Sequence, residues 1–204
     1  MTLCRLICTL ALLVAGSAAQ AECGCLWQGS FSEVQGDTDL VVSGTVTERK
    51  GNSIDLSVDR LLRGREHMPE IRIWLKTGDY CRPEPELFPP GSQWVMALHR
   101  INRVVPGGFD PGTPNISYGR IGDYSLSSCG GYWLKLVNDV VTGNLVQAPR
   151  WVRDPKMTPV LLDLVAGYVR GELEAEVLAR ASREDPALRE LMLDTRAFLR
   201  EQED

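Results

Sequence analysis

Glu22-Cys23-Gly24-Cys25-Leu26-Trp27 places two cysteines one residue apart, where a bond between them would close a ring too small for ordinary disulfide geometry. The chain has six cysteines, and Cys4 and Cys8 fall in a leading segment that reads as removable, which leaves Cys23, Cys25, Cys81 and Cys129. An even number of cysteines in an exported chain reads as two disulfides. Each member of the close pair is therefore expected to reach a different distant partner. Loops of that length each stabilise by about 4 kcal/mol in the chain-entropy model.

The removable segment is residues 1–21. Arg5 is its single positive charge, the apolar run Leu6 to Ala15 follows, and Ala19-Gln20-Ala21 supplies a small-residue cleavage site. A secretory signal with Glu22 as the new N-terminus is expected, and the apolar run is shorter than the roughly 20 residues of a bilayer span. The expected location is periplasmic or extracellular, without a membrane span. Removing 21 of 204 residues leaves 183, enough for one domain with a real core and one appendage. The mature chain keeps 21 basic and 27 acidic residues, a net charge of −6. From Asp154 onward there are 12 acidic and 7 basic residues, so residues 22–153 carry 15 and 14. A nearly neutral main domain argues against a nucleic-acid partner, which needs clustered positive charge.

Beyond the cysteine pair the pattern is mainly β. Leu40 to Val46 is rich in β-branched residues, with Gly44 as a candidate bulge, and Lys50-Gly51-Asn52-Ser53 has turn chemistry. Ile54, Leu56 and Val58 alternate with polar residues, and Ile71, Ile73 and Leu75 do so again, which predicts a three-strand meander. Pro83, Pro85, Pro89 and Pro90 mark a loop before the strand Gln93–His99. Another strand is expected over 132–137, with 140–147 extending it as a hairpin around Thr142-Gly143-Asn144. Two amphipathic helices are expected to close the chain, one starting at Thr158-Pro159 and one at Asp185-Pro186.

Taken in order, the mature-start Cys-x-Cys, the strand Asp39 to Val46, Leu61-Leu62-Arg63-Gly64, Cys81 followed by Phe88 to Met96, and Tyr124 to Cys129 resemble the netrin-like module. The nearest form is the N-terminal domain of the tissue inhibitors of metalloproteinases and its small secreted relatives. The resemblance covers about Cys23 to Val137. It implies a five-stranded oligonucleotide/oligosaccharide-binding (OB) type barrel, with Cys23 paired to Cys81 and Cys25 to Cys129. The expected organisation is a signal at 1–21, the barrel at 22–150 and a helical extension at 151–204. In the family's inhibitors the first cysteine is N-terminal and chelates the protease zinc through its free amine and carbonyl. Here the expected cleavage leaves Glu22 ahead of Cys23, which puts that nitrogen in a peptide bond.

The sequence holds no G-x-S-x-G, H-E-x-x-H or P-loop, and no catalytic residue, metal ligand set or cofactor is expected. Only two histidines occur, His67 in a predicted loop and His99 at a strand end, too far apart in sequence to form a local ligand pair. Trp74 is the tryptophan expected to be exposed on an open barrel face. The functional expectation is a non-enzymatic exported module that binds a protein partner through the edge Glu22, Cys23, Gly24, Leu26 and Trp27. The alternatives are a metalloprotease inhibitor using that same edge and a thiol redox or hydrolytic enzyme.

Overall fold

The structure is a computed structural model that describes residues 24–78, 80–103, 118–147, 157–183 and 187. The expected signal segment, Glu22 and Cys23, the 150/151 boundary, and the second predicted C-terminal helix apart from Ala187 lie outside the described residues.

β1 (Leu40–Lys50) and β2 (Ser53–Arg63) form a long antiparallel hairpin across a two-residue turn in which Gly51 takes φ +57°. β3 (Glu70–Trp74) adds to β2, completing the expected meander, and β4 (Gln93–Arg100) returns antiparallel to β1. β5 (Tyr124–Ser125) is parallel to β3 and antiparallel to β4. The ring β1-β2-β3-β5-β4 therefore closes as a five-stranded OB-type barrel. Its interior holds the fully buried Leu40, Ile54, Leu56, Ile73, Met96 and Leu98.

The barrel forks at β4. The edge that pairs β5 through His99 and Arg100 also pairs β6 (Trp133–Val137) through Gln93 to Met96. Eight residue steps from 125 to 133 face only three from 99 to 96, so five residues bulge out between the two pairings, and Cys129 is in that bulge. The expected strand at 132–137 is thus present. The closing strand, however, is the two-residue β5, too short to leave a periodic signal.

β7 (Val140–Thr142) follows β6 through Asn138-Asp139, both at positive φ (49° and 61°). The hairpin turn is therefore there and not at 142–144, because Asn and Asp tolerate the left-handed region that a two-residue hairpin needs. β8 (Val160–Leu161) pairs with β7, and Leu162 N–H donates to Asp139 O at 2.8 Å. The predicted helix accordingly begins later, as α2 (Leu162–Val169), because the open edge of β7 claims Val160 and Leu161 as strand. α3 (Ala175–Ala181) follows, and Val165, Ala166 and Leu178 of the two helices join the same core as the barrel.

A short helix missed from the sequence, α1 (Phe31–Val34), lies before β1. Its signal is Ser30-x-x-Glu33: the Glu33 carboxylate accepts from Ser30 N at 2.7 Å and from Ser30 Oγ at 2.6 Å. Those bonds hold Glu33 below the ordinary carboxylate pKa, the side-chain bond first and the backbone bond second.

Gly44 sits at a register shift between β1 and β2, where a Cβ would lie 2.3 Å from Ser57 O. Gly44→Ala is expected to destabilise by about 1–3 kcal/mol, the usual cost of overpacking. Gly36→Ala, where a Cβ meets nothing within 4 Å, is expected to be close to neutral. Urea unfolding of both variants measures the difference.

Candidate functional site: the anchored N-terminal edge and its cleft

The segment before α1 is tied to the bulge between β5 and β6. Cys25 is disulfide-bonded to Cys129, 104 residues away, with Cα atoms 5.7 Å apart. Gln28 N–H donates to Cys129 O at 2.7 Å, Gly131 N–H to Gly29 O at 2.9 Å, and Tyr132 OH to Gln28 Oε1 at 2.6 Å. Downstream, Phe31 N–H donates to Asn144 O at 2.7 Å and Tyr168 OH to Ser32 O at 2.6 Å, so α1 is also bound to the segment after β7 and to α2. Cys81 is disulfide-bonded as well, and its expected partner Cys23 lies outside the described residues. The sulfurs of Cys25, Cys81 and Cys129 lie within 4.8 Å of one another, but bonded sulfurs offer no thiolate for a metal or for redox attack.

The anchored segment presents Leu26, 88% exposed, flanked by exposed Gly24 and half-buried Trp27. Trp27 forms part of the lining of an open cleft of about 760 Å³ that lies in the fork of the sheet. The cleft is lined by the Pro83–Leu87 loop, by Trp94 of β4, Trp133 and Lys135 of β6 and Thr142 of β7, and by Ser128, Gly130 and Gly131 of the bulge. Strand register explains the floor: Trp133 and Lys135 lie on the face of β6 opposite the buried Leu134 and Leu136 and pair with Met96 and Trp94, so the floor continues the barrel-lining face of β4 past the end of the barrel. Fully buried Phe88 meets both rings edge-on, with centroids 5.0 Å from Trp94 and 5.7 Å from Trp133. Trp94 Nε1 donates to Ser92 Oγ at 2.7 Å, so its ring is held in place. Gly131 in the wall is needed for packing, since a Cβ there would lie 2.8 Å from Phe31 N and Asn144 O.

The charges along this cleft are Lys76, Arg82 and Lys135 against Glu84. Lys76 Nζ bonds Glu84 at 2.6 Å. Arg82 donates to Tyr118 O at 2.7 Å and lies over the Tyr80 ring at 4.7 Å, and burial pulls its pKa below the ordinary arginine value. Among the described residues neither Arg82 nor Lys135 has a carboxylate partner. Trp94, Trp133, Arg82 and Lys135 were absent from the sequence-based set. Outward Trp133 and Lys135 alternating with Leu134 and Leu136 was the available signal, but it marks a face without saying what adjoins it.

Trp74, expected to be exposed, is buried, its Nε1 donating to Asp123 at 2.8 Å beside the β3–β5 pairing. Its neighbourhood is a second, smaller cavity of about 300 Å³ lined by charged groups that satisfy one another. Arg72 bonds Asp55 through Nε and Nη2, both at 2.7 Å, and Tyr124 OH donates to Glu66 at 2.6 Å. Arg100 and Arg120 face Glu66 and Asp123. The Arg72 hydrogen bonds hold Asp55 below its usual pKa against the effect of burial. Burial alone would raise Glu66, but bonds from Tyr124 and the N–H groups of Met68 and His67 outweigh it and leave the group lowered. Burial, then the bond to Glu66, raises the Tyr124 phenol. His67 is exposed in its loop, and half-buried His99 packs against Tyr132 at 5.6 Å.

Comparison with family models, curated proteins and solved structures gives no match to this chain. Among the described residues no helix is long and apolar enough to cross a membrane.

Two outcomes test the site's construction. Replacing Cys25 and Cys129 by serine is expected to cost about 4–5 kcal/mol in the chain-entropy model for a loop of this length, read by denaturant unfolding. The same change should expose the segment before α1 to limited proteolysis. For Asp55, a pKa lowered in the folded state gives stability that is present above the unfolded carboxylate value, near 4, and is lost as pH falls through the lowered one. Asp55 is 8% exposed and Arg72 26%, between the limits of exposed and buried pairs. Asp55→Asn is therefore expected to cost about 2 kcal/mol at neutral pH and to flatten the acid side of the stability curve.

Proposed function

We propose that this protein is an exported, non-enzymatic binding module of the netrin-like kind, which holds a protein partner on its anchored N-terminal edge and in the adjoining tryptophan cleft. One observation carries this reading: Leu26 stands 88% exposed on a segment fixed by a disulfide and three hydrogen bonds, next to Trp27 at the rim of the cleft. A large apolar side chain held rigidly in water has a cost that binding would recover. Rigid aromatic anchors bind with little loss of rotamer freedom. Export is supported by the disulfides, which persist in oxidising compartments. The netrin-like assignment is supported by the order of the cysteines and by the ring of five strands closed by a parallel pairing. The metalloprotease-inhibitor reading uses the same edge and depends on whether the mature chain starts at Cys23.

In a pull-down with the exported chain followed by titration of the recovered partner, Leu26→Ala with Trp27→Ala is expected to weaken binding by about 2 kcal/mol or more, roughly 30-fold. Unchanged recovery of every partner would remove the edge from the function. N-terminal sequencing of the same sample decides between the two readings, because a chain beginning at Glu22 has no free cysteine amine for zinc.

A further inference from the structure

We infer that the cleft takes an extended, acidic peptide segment of the partner, with an Asp or Glu beside an apolar or prolyl residue. This inference rests on the binding-module reading above. Residues 22–153 carry 15 acidic and 14 basic residues, yet the cleft they hold is lined by three cations and one carboxylate. The one carboxylate, Glu84, is already taken by Lys76, which leaves Arg82 and Lys135 without a carboxylate partner among the described residues. Other cations near cavities are matched: Arg72 with Asp55, Arg100 with Glu66 and Arg120 with Asp123. The imbalance is therefore local to the tryptophan cleft. An anionic group entering it gains Coulomb attraction in surroundings drier than bulk water.

The apolar part of the site identifies a polypeptide as the source of that anion. Leu87, 47% exposed, stands on one wall, and Leu26 projects next to Trp27. Aliphatic rims are covered by the side chains of a peptide, whereas an acidic saccharide presents hydroxyls that would lie unpaired against them. Trp27, Trp94 and Trp133 suit a prolyl or apolar residue, as in aromatic-lined grooves that hold extended peptides. Lys135 projects outward from the β-strand that also carries Trp133, so a carboxylate one or two residues from the apolar anchor falls within its reach.

The test is selection of a displayed random 12-residue peptide library on the disulfide-bonded chain, followed by titration of synthetic peptides against wild type, Trp27→Ala and Lys135→Glu. A heparin fragment serves as the acidic-saccharide arm. Both substitutions lie at half-buried or exposed positions, and retention of the Cys25–Cys129 bond verifies the fold of each variant. Enriched peptides are expected to carry Asp or Glu next to Pro, Leu or an aromatic residue. Changing that carboxylate to its amide, or Lys135 to Glu, is expected to weaken binding at least tenfold, with the wild-type affinity falling as salt rises. Peptides that are lost on Trp27→Ala but tolerate both charge changes would overturn the acidic-segment inference and leave the binding cleft standing. Peptides indifferent to Trp27→Ala, or neither peptide enrichment nor heparin retention, would overturn both. Retention of heparin with no peptide enriched would make the occupant a saccharide and overturn the inference.

Discussion

The bond between Cys25 and Cys129 ties to the bulge a segment that takes no part in the sheet. Residues 24–29 belong to no strand, and their most apolar side chain, Leu26, is almost wholly in water. Fixing each residue's backbone costs about 1–2 kcal/mol, which Leu26 cannot return through burial. Order is imposed from the far side of the crosslink, by the bulge at Cys129, and is carried on by the hydrogen bonds that Gln28 makes, by the one that Gly29 O accepts and by those from the first N–H groups of α1. The position of Trp27 at the cleft depends on that chain of constraints.

The bulge exists because β4 has one edge and two clients. Near His99 that edge closes the barrel through β5, and near Trp94 it starts the β6-β7-β8 layer. A single continuous strand there would close the barrel or extend the sheet, not both. The five extra residues between the two pairings let the sheet divide. A dividing sheet leaves space between its branches, and the Pro83–Leu87 loop on one branch and Trp133 and Lys135 on the other line that space. Barrel closure, the placement of Cys129 and the cleft are thus consequences of one register change.

Much of this was legible in the sequence, because it rests on local periodicity and turn chemistry. Alternating Ile54 and Leu56, then Ile71 and Ile73, mark half-buried strands, and Gly44 marks the bulge in β1. The closing strand was not legible, since Tyr124 and Ser125 are held by neighbours on β3 and β4 and a two-residue strand has no period. Val160 and Leu161 fit a helical stripe equally well, and only the free edge of β7 makes them strand. Trp74 alternates with inward residues and so looked exposed, but the β3–β5 pairing and Asp123 cover it. The edge at Gly24, Leu26 and Trp27 was legible from the cysteines beside it. The remainder of the cleft was not, because its walls come from segments some 50 residues apart.

Among the described residues, the two cavities differ in their charge balance. Around Tyr124 every arginine faces a carboxylate, and a cavity that is electrostatically complete has little to gain from a visitor, which would first have to break a partly buried pair. Around Trp27 the rings are locked by Phe88 and Ser92, the edge is locked by the disulfide, and among the described residues two cations remain without a carboxylate. Rigidity in such a place would remove ordering cost from the proposed encounter, and unmatched charge would supply a direction for it. Among the described residues, then, the charges are paired where the barrel closes, and Arg82 and Lys135 are without a carboxylate where the sheet forks.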